Sequence, residues 1–153
     1  MKPIRQSIEV ARRPEDVFSY ATDFARFPEW QVGAVTASPI DDSPAGPGAR
    51  AAVTRKVGPG RFARTEVISR YHPPGTQTVG TWTVEGVGGP LTAHAHGTIQ
   101  SVWDGAGSQV TIDMDFAGHG LGRFFIPSIA RFAARRQLPK NLQNLKRVLE
   151  QIR

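Results

Sequence analysis

The chain has 153 residues, contains no cysteine and carries a formal net charge of +6. This length predicts a single domain over residues 1–153, large enough to bury about 70% of its unfolded surface. The absence of cysteine excludes a thiol nucleophile, thiolate metal ligands and a disulfide framework.

The first 30 residues predict one strand followed by two short helices. Apolar and polar residues alternate over Ile4–Val10, a pattern typical of a half-buried strand. Pro14 then opens a short helix, because a proline in the first turn has no hydrogen bond to lose. Asp23 is suited to cap a second helical turn, which Pro28 stops just before Trp30.

The middle of the chain predicts six further strands, because short apolar runs alternate there with turns rich in glycine and proline. These strands are Val32–Ile40, Ala49–Val57, Phe62–Tyr71, Gln77–Glu85, Leu91–Trp103 and Gln109–Ala117. Turns this short favour an antiparallel meander over a parallel α/β sheet. With the first strand, the sheet is expected to have seven strands.

The last segment, Leu121–Ile152, predicts one long helix. Its main apolar stripe, at helical spacing, is formed by Leu138, Leu142, Leu145, Leu149 and Ile152. A second stripe with the same spacing but another phase is formed by Phe125, Ile129 and Phe132. Pro139 lies between the two, and an interior proline removes a hydrogen bond and clashes with the preceding turn. We therefore expect a kink or break near Arg136–Pro139, with both stripes facing the sheet.

The positive charge is concentrated in this helix. Residues 121–153 hold eight Lys and Arg against the single acid Glu150, which leaves 11 basic and 12 acidic residues in the first 120. Since the opposite helix face is apolar, these charges predict a solvated outer surface. No aromatic residues interleave with them, so we expect no specific nucleic-acid partner.

Two runs near the N-terminus carry a family resemblance. Arg13–Phe18 reads Arg-Pro-Glu-Asp-Val-Phe, and Asp23–Trp30 reads Asp-Phe-Ala-Arg-Phe-Pro-Glu-Trp. Pro47-Gly48, Gly89-Pro90 and Asn141–Lys146 fit the same pattern. Over essentially its whole length the chain resembles the START-like or SRPBCC superfamily, in its polyketide cyclase/dehydrase-like branch.

That resemblance implies an α+β helix-grip fold. In this fold a seven-stranded curved antiparallel sheet wraps around a long C-terminal helix, and two short helices follow the first strand. Members have a deep hydrophobic cavity between sheet and helix. They bind lipids, sterols, polyketides or hormones, and some catalyse cyclisation or dehydration.

The strands themselves also predict a cavity. They are rich in Ala, Gly and Thr, and such small side chains leave space between sheet and helix unfilled. The residues expected to line the cavity and bind a ligand are Trp30, Val67, Tyr71, Trp82, Val84, Ala95, Ile99, Met114, Phe116, Phe125 and Ile129. Arg64, Glu66 and Arg70 fall on the opposite phase of their strand and are interpreted as solvated charges.

His94 and His96 are the most plausible polar groups for chemistry. Two residues apart in a strand, they point to the same face about 7 Å apart. They could face the cavity together, or they could face solvent beside Asp113 and Asp115 while Ala93, Ala95 and Gly97 point inward. The alternation favours the outward alternative, and no spacing supplies a third ligand for a metal.

Three functions compete. The first is binding or carriage of a hydrophobic small molecule, such as a lipid, an isoprenoid or a polyketide. The second is a polyketide cyclase or dehydratase in which Tyr71, His94 or His96 transfers protons. The third is a protein-interaction module that uses the basic helix. None of them calls for a metal or cofactor, and the oligomeric state is not predicted.

The expected compartment follows from hydropathy. No apolar run approaches the roughly 18 residues of a membrane span, and no signal segment precedes the first strand. We therefore expect a protein of the cytoplasm without a membrane span.

Overall fold

The computed structural model describes residues 3–40, 46–57, 59–75, 79–87, 91–120 and 126–151. The strands are β1 (Ile4–Val10), β2 (Ala34–Ile40), β3 (Arg50–Val57), β4 (Gly60–His72), β5 (Gly80–Val87), β6 (Leu91–Val102) and β7 (Gly107–Gly118). The helices are α1 (Pro14–Ala21), α2 (Phe27–Trp30) and α3 (Ile126–Gln151), with 3₁₀ turns at Phe24–Arg26 and Trp103–Gly105. The predicted starts of the fifth strand (Gln77, Thr78) and of the long helix (Leu121–Phe125) lie outside the described residues.

All seven strands form one antiparallel sheet, in the order β1-β7-β6-β5-β4-β3-β2. Strands β2 to β7 each pair with their sequence neighbour, as expected when short turns join them. Strand β1 closes the order by pairing with β7, where Ile4 lies opposite Met114. The predicted helix-grip architecture, with short helices after the first strand and a long C-terminal helix, is confirmed.

The short helices form because their ends are stabilised locally. Pro14 stands in the first turn of α1, and the Asp23 side chain accepts a hydrogen bond of 3.1 Å from the Ala25 amide. The Phe18 ring of α1 packs edge-on against Tyr71 of β4 and Trp82 of β5, with centroid distances of 5.0 and 5.8 Å. Helix α1 is thereby fixed against one end of the sheet.

Helix α3 is continuous across Pro139, so of the predicted kink or break the break was wrong. Its buried residues keep one phase along the helix: Pro127, Ala130, Arg131, Ala134, Leu138, Asn141, Leu142, Leu145 and Leu149. An interior proline costs about 3 kcal/mol, which the burial of the four leucines on one face exceeds.

The second apolar stripe of α3 does not pack on the sheet as predicted. Ile129 is 55% exposed and Phe132 is 63% exposed, because a continuous helix can bury only one phase. The inner positions of this half are instead Ala130 and Ala134, whose small side chains leave space between helix and sheet.

A β-bulge divides β4 into two halves, and the alternation of inward-facing and outward-facing residues is reversed between them. Its pairing with β5 shifts between Ile68 and Arg70, so an extra residue intervenes. Before the bulge the inward residues are Glu66 and Ile68, which are 2% and 0% exposed. After it, Tyr71 is the residue that packs on the core. Glu66 was predicted to face solvent, and the structure corrects this.

Candidate functional site

Sheet and helix α3 enclose a cavity of about 700 Å³. Residues of α2, β3, β4, β5, β6, β7 and α3 line it. Exposed residues in the lining mark the side on which the cavity opens to solvent: Lys56, Pro59, Phe62, Ala63 and Ile129. The volume lies within the range of about 300–1,000 Å³ that is usual for small-molecule sites.

Seven of the eleven residues predicted to bind a ligand lie in the cavity wall: Trp30, Trp82, Val84, Ala95, Met114, Phe116 and Ile129. The inward residues of β5, β6 and β7 meet in cross-strand rows, for example Val84, Ala95 and Met114. Phe125 lies outside the described residues. The apolar wall therefore follows from strand alternation and register.

Three other predicted residues do not line the cavity. Val67 alternates with buried Glu66 and Ile68, which places it on the opposite face of β4. Tyr71 packs against Phe18 beyond the bulge. Ile99 is fully buried in the core, opposite Gly80 and Val110, and is not part of the lining.

His94 and His96 lie on the outer face of β6, with Ala93 and Ala95 of the same strand in the cavity wall. The Nδ1 atom of His94 lies 3.5 Å from a carboxylate oxygen of Glu85, and Nδ1 of His96 lies 2.7 Å from the Thr83 hydroxyl. None of the three polar catalytic candidates, Tyr71 included, is in the cavity lining. Within the described ranges, no group of three His, Cys, Asp or Glu side chains could hold a metal ion.

The charged side chains in the wall were missed by the sequence analysis. Arg55, Arg64 and Glu66, here called the charged cluster, all line the cavity. Arg55 donates two hydrogen bonds to the Glu66 carboxylate, from Nε at 2.6 Å and from Nη2 at 2.8 Å. The Arg55 guanidinium also lies 5.9 Å from the centre of the Phe27 ring. Arg64 approaches the same carboxylate only through Nε, at 3.5 Å.

Burial and pairing act against each other in this cluster. Burial alone would raise the pKa of Glu66, but its hydrogen bonds from Arg55 and the two guanidinium charges hold that pKa below its ordinary value. Burial lowers the pKa of Arg64, because Glu66 only partly offsets the loss of water around the guanidinium. Two guanidinium groups and one carboxylate give the cluster a formal net charge of +1.

The backbone makes room for Arg64 at Gly86. Gly86 lies opposite Glu66 on the neighbouring strand, and a Cβ atom there would come within 2.5 Å of the Arg64 Cζ. Any side chain at this position would displace the guanidinium from its place over the sheet. The glycine therefore fixes where the charge sits.

The described helices include none that is long and apolar enough to cross a membrane.

Outside the charged cluster, the wall also holds the polar side chains of Gln31, Lys56, Thr65, Gln137 and Asn141. Asn141 of α3 accepts a hydrogen bond of 2.7 Å from the Val32 amide through Oδ1, which ties the helix to the segment before β2. The site is thus a mainly apolar cavity with a buried charged cluster and an exposed lysine, Lys56, in its lining.

Comparisons with known proteins agree with this geometry. The profile of a family described as "Polyketide cyclase / dehydrase and lipid transport" matches residues 1–150. No curated protein matches the sequence.

Solved structures share the fold at low sequence identity. The Zhui aromatase/cyclase from Streptomyces sp. R1128 superposes with a TM-score of 0.74 at 11% identity, over 97% of this chain and 93% of that one. A START superfamily protein from Mycobacterium smegmatis gives 0.70 at 13% identity, over 99% of both chains. The di-domain ARO/CYC BexL gives 0.65 at 13% identity; 96% of this chain is covered, but only 46% of that longer protein. At these identities the likeness concerns the fold alone.

Proposed function

The chain belongs to the polyketide cyclase/dehydrase and lipid transport family, and we propose that it binds and carries a hydrophobic small molecule in its cavity. The molecule would be a lipid, an isoprenoid or a polyketide-like compound. It would lie between the inner face of the sheet and α3.

The observation that carries this proposal is the cavity of about 700 Å³ with its apolar wall. Protein interiors are normally close-packed, so an apolar wall without side-chain partners forgoes stabilising contacts. Small side chains at Ala93, Ala95, Ala130 and Ala134 keep this volume open where larger apolar residues would close it. A bound apolar ligand would supply the contacts that the wall lacks.

The position of the polar candidates supports binding over a cyclase or dehydratase reaction. A proton-transfer group must come within hydrogen-bond distance of the reacting atom. Tyr71, His94 and His96 all lie outside the cavity lining, so a molecule bound there would not touch them. The charged cluster is engaged in ion pairs, with Glu66 held as a carboxylate.

The test uses a matched pair of variants on β6 and the neutral fluorophore N-phenyl-1-naphthylamine. Ala95→Phe places a ring into the cavity between Val84 and Met114. We expect it to weaken probe binding about tenfold or more, equivalent to about 1.4 kcal/mol. His94→Phe adds an aromatic ring on the outer face and should leave the affinity within about twofold.

Circular dichroism melts of both variants show that each remains folded. If the parent protein fails to bind the probe, the cavity does not serve an apolar ligand. If His94→Phe abolishes binding and Ala95→Phe does not, the ligand lies on the other face of the sheet and the proposal is wrong.

A further inference from the structure

We propose that the ligand is an amphipathic anion whose single oxyanion group, a carboxylate or a phosphate, pairs with Arg64 in the cavity wall. This inference rests on the proposed function, because it assumes that an apolar molecule enters the cavity. It adds the chemical class of that molecule and the point at which its polar end is held.

Within the charged cluster, Glu66 is shared unequally between the two guanidiniums. Both carboxylate oxygens of Glu66 accept short hydrogen bonds from Arg55, at 2.6 and 2.8 Å. This fork-to-fork pair has the geometry that guanidinium and carboxylate prefer. The single negative charge of Glu66 is therefore engaged mainly by Arg55, and it can compensate only one of the two guanidinium charges.

Arg64 is the second guanidinium, and it is left with one long contact. Its Nε lies 3.5 Å from Glu66, and among the described residues its two terminal nitrogens have no hydrogen-bond partner. Its side chain is only 16% exposed, so water has largely been removed from the charge. A guanidinium has five donors in a planar fork, and an oxyanion satisfies them far better than an uncharged oxygen.

The surroundings of Arg64 fit one end of an amphipathic molecule. Gly86 lets the guanidinium lie flat on the sheet, where it borders the same cavity as Ala93, Met114 and Phe116. An anionic group at Arg64 therefore leaves its apolar tail along the apolar wall. The net charge of +1 in the cluster opposes a cationic head group and favours an anionic one.

The experiment compares four ligands that share a twelve-carbon tail: dodecanoate, dodecyl phosphate, dodecanol and dodecylammonium. Each displaces N-phenyl-1-naphthylamine from the protein at pH 8 and low salt, below its micelle concentration. Because hydrogen bonds to a charged partner are stronger than neutral ones, we expect the better anion to bind about 10- to 100-fold more tightly than dodecanol. The ratio between the two anions distinguishes a carboxylate ligand from a phosphate ligand.

Arg64→Gln should remove most of this preference for anions and leave the affinity for dodecanol within about twofold. Arg70→Gln is the matched control, because Arg70 is exposed on the same strand and lies outside the cavity lining. It removes the same charge and should leave all four affinities unchanged. Arg64→Lys should retain part of the preference.

Gly86→Ala tests the same site without changing any charge. Its methyl group would push the Arg64 guanidinium aside, so the preference for anions should fall as in Arg64→Gln. This variant also keeps the test decisive if Arg64→Gln fails to fold, which thermal melts will reveal.

The proposal is overturned if dodecanol binds the parent as tightly as both anions, or if dodecylammonium binds most tightly. It is also overturned if Arg64→Gln, or Gly86→Ala in its place, keeps the full preference for anions. In each of these cases, measurable binding of dodecanol would still support the proposed apolar-ligand function. If none of the four ligands displaces a probe that the parent binds, this inference is overturned while the apolar-ligand function stands. If the parent does not bind the probe at all, both fail.

Discussion

Replacing Glu66 by glutamine should destabilise the protein strongly, although the side chains are nearly the same size. The change removes the one negative charge between two guanidiniums whose side chains are 19% and 16% exposed. Breaking a buried ion pair by removing one partner costs about 3–5 kcal/mol. Because Arg55 and Arg64 border the cavity, we expect the lower end, about 3 kcal/mol, and a melting temperature lower by about 6–12 °C.

The assay is urea unfolding at pH 7 with a control on the next strand. Glu85 is 36% exposed and lies 3.5 Å from His94, so Glu85→Gln should cost less than about 1 kcal/mol. A loss below 1 kcal/mol for Glu66→Gln would refute the assignment of a strong buried ion pair.

The pH dependence gives a second check on Glu66. Its pKa is depressed in the folded state, so its contribution to stability is complete above the unfolded glutamate pKa of about 4.3. That contribution is lost as pH falls through the depressed folded-state pKa. The difference in unfolding free energy between the parent and Glu66→Gln should therefore be constant from pH 7 to 5 and shrink below about pH 4. A difference that stays constant down to pH 3 would contradict the ion pair.

Two further predictions concern α3. Pro139→Ala restores a backbone donor inside a continuous helix and should stabilise the protein by about 2 kcal/mol, after the entropy gained by the unfolded chain is subtracted; a lower melting temperature would contradict this. The basic outer face should bind double-stranded DNA only weakly, without sequence preference and with a steep loss of affinity on adding salt. Fluorescence anisotropy with two unrelated duplexes tests this, and salt-resistant binding to one of them would contradict it.

The order of strands and helices could be predicted from the sequence because it depends on local signals. Glycine and proline mark the turns, and the leucines of α3 recur at helical spacing over Leu138–Leu149. The family resemblance pointed to the same architecture. The break predicted in α3 near Pro139 was wrong, because packing can offset the cost of an interior proline. Sequence periodicity does not measure that packing.

The face of β4 could not be predicted from its own residues. Ala63, Thr65 and Val67 look like an inner face beside Arg64 and Glu66, yet the charges point inward. The Glu66 carboxylate is stabilised there by Arg55, which comes from the neighbouring strand and is not visible in the local pattern. Arg64 is stabilised in turn by its longer contact with Glu66. Burial of a charge depends on its partners rather than on its own hydropathy.

The register between β3 and β4 identifies the inner face of β4. The turn between β3 and β4 pairs Val57 with Gly60, which places Val53 opposite Arg64 and Ala51 opposite Glu66. Directly opposed residues share a face, and Val53 and Ala51 are fully buried. The bulge after Ile68 has no comparable signal, because an extra residue leaves the local alternation unchanged until its partner strand is known.

Arg64 and Glu66, which were predicted to face solvent, belong to a charged cluster whose composition also bears on function. Replacing a buried ion pair by apolar residues of similar size is often neutral or stabilising, so stability alone does not account for the charged cluster. Beyond the Arg55–Glu66 pair, Arg64 adds a second cation, and the single carboxylate of Glu66 compensates its charge only in part. Gly86 widens the wall at the point where that cation lies. Arg64 thus has a charge that the chain compensates only in part, space for its guanidinium at Gly86, and an apolar cavity beside it. These are the features expected of a side chain that binds a ligand.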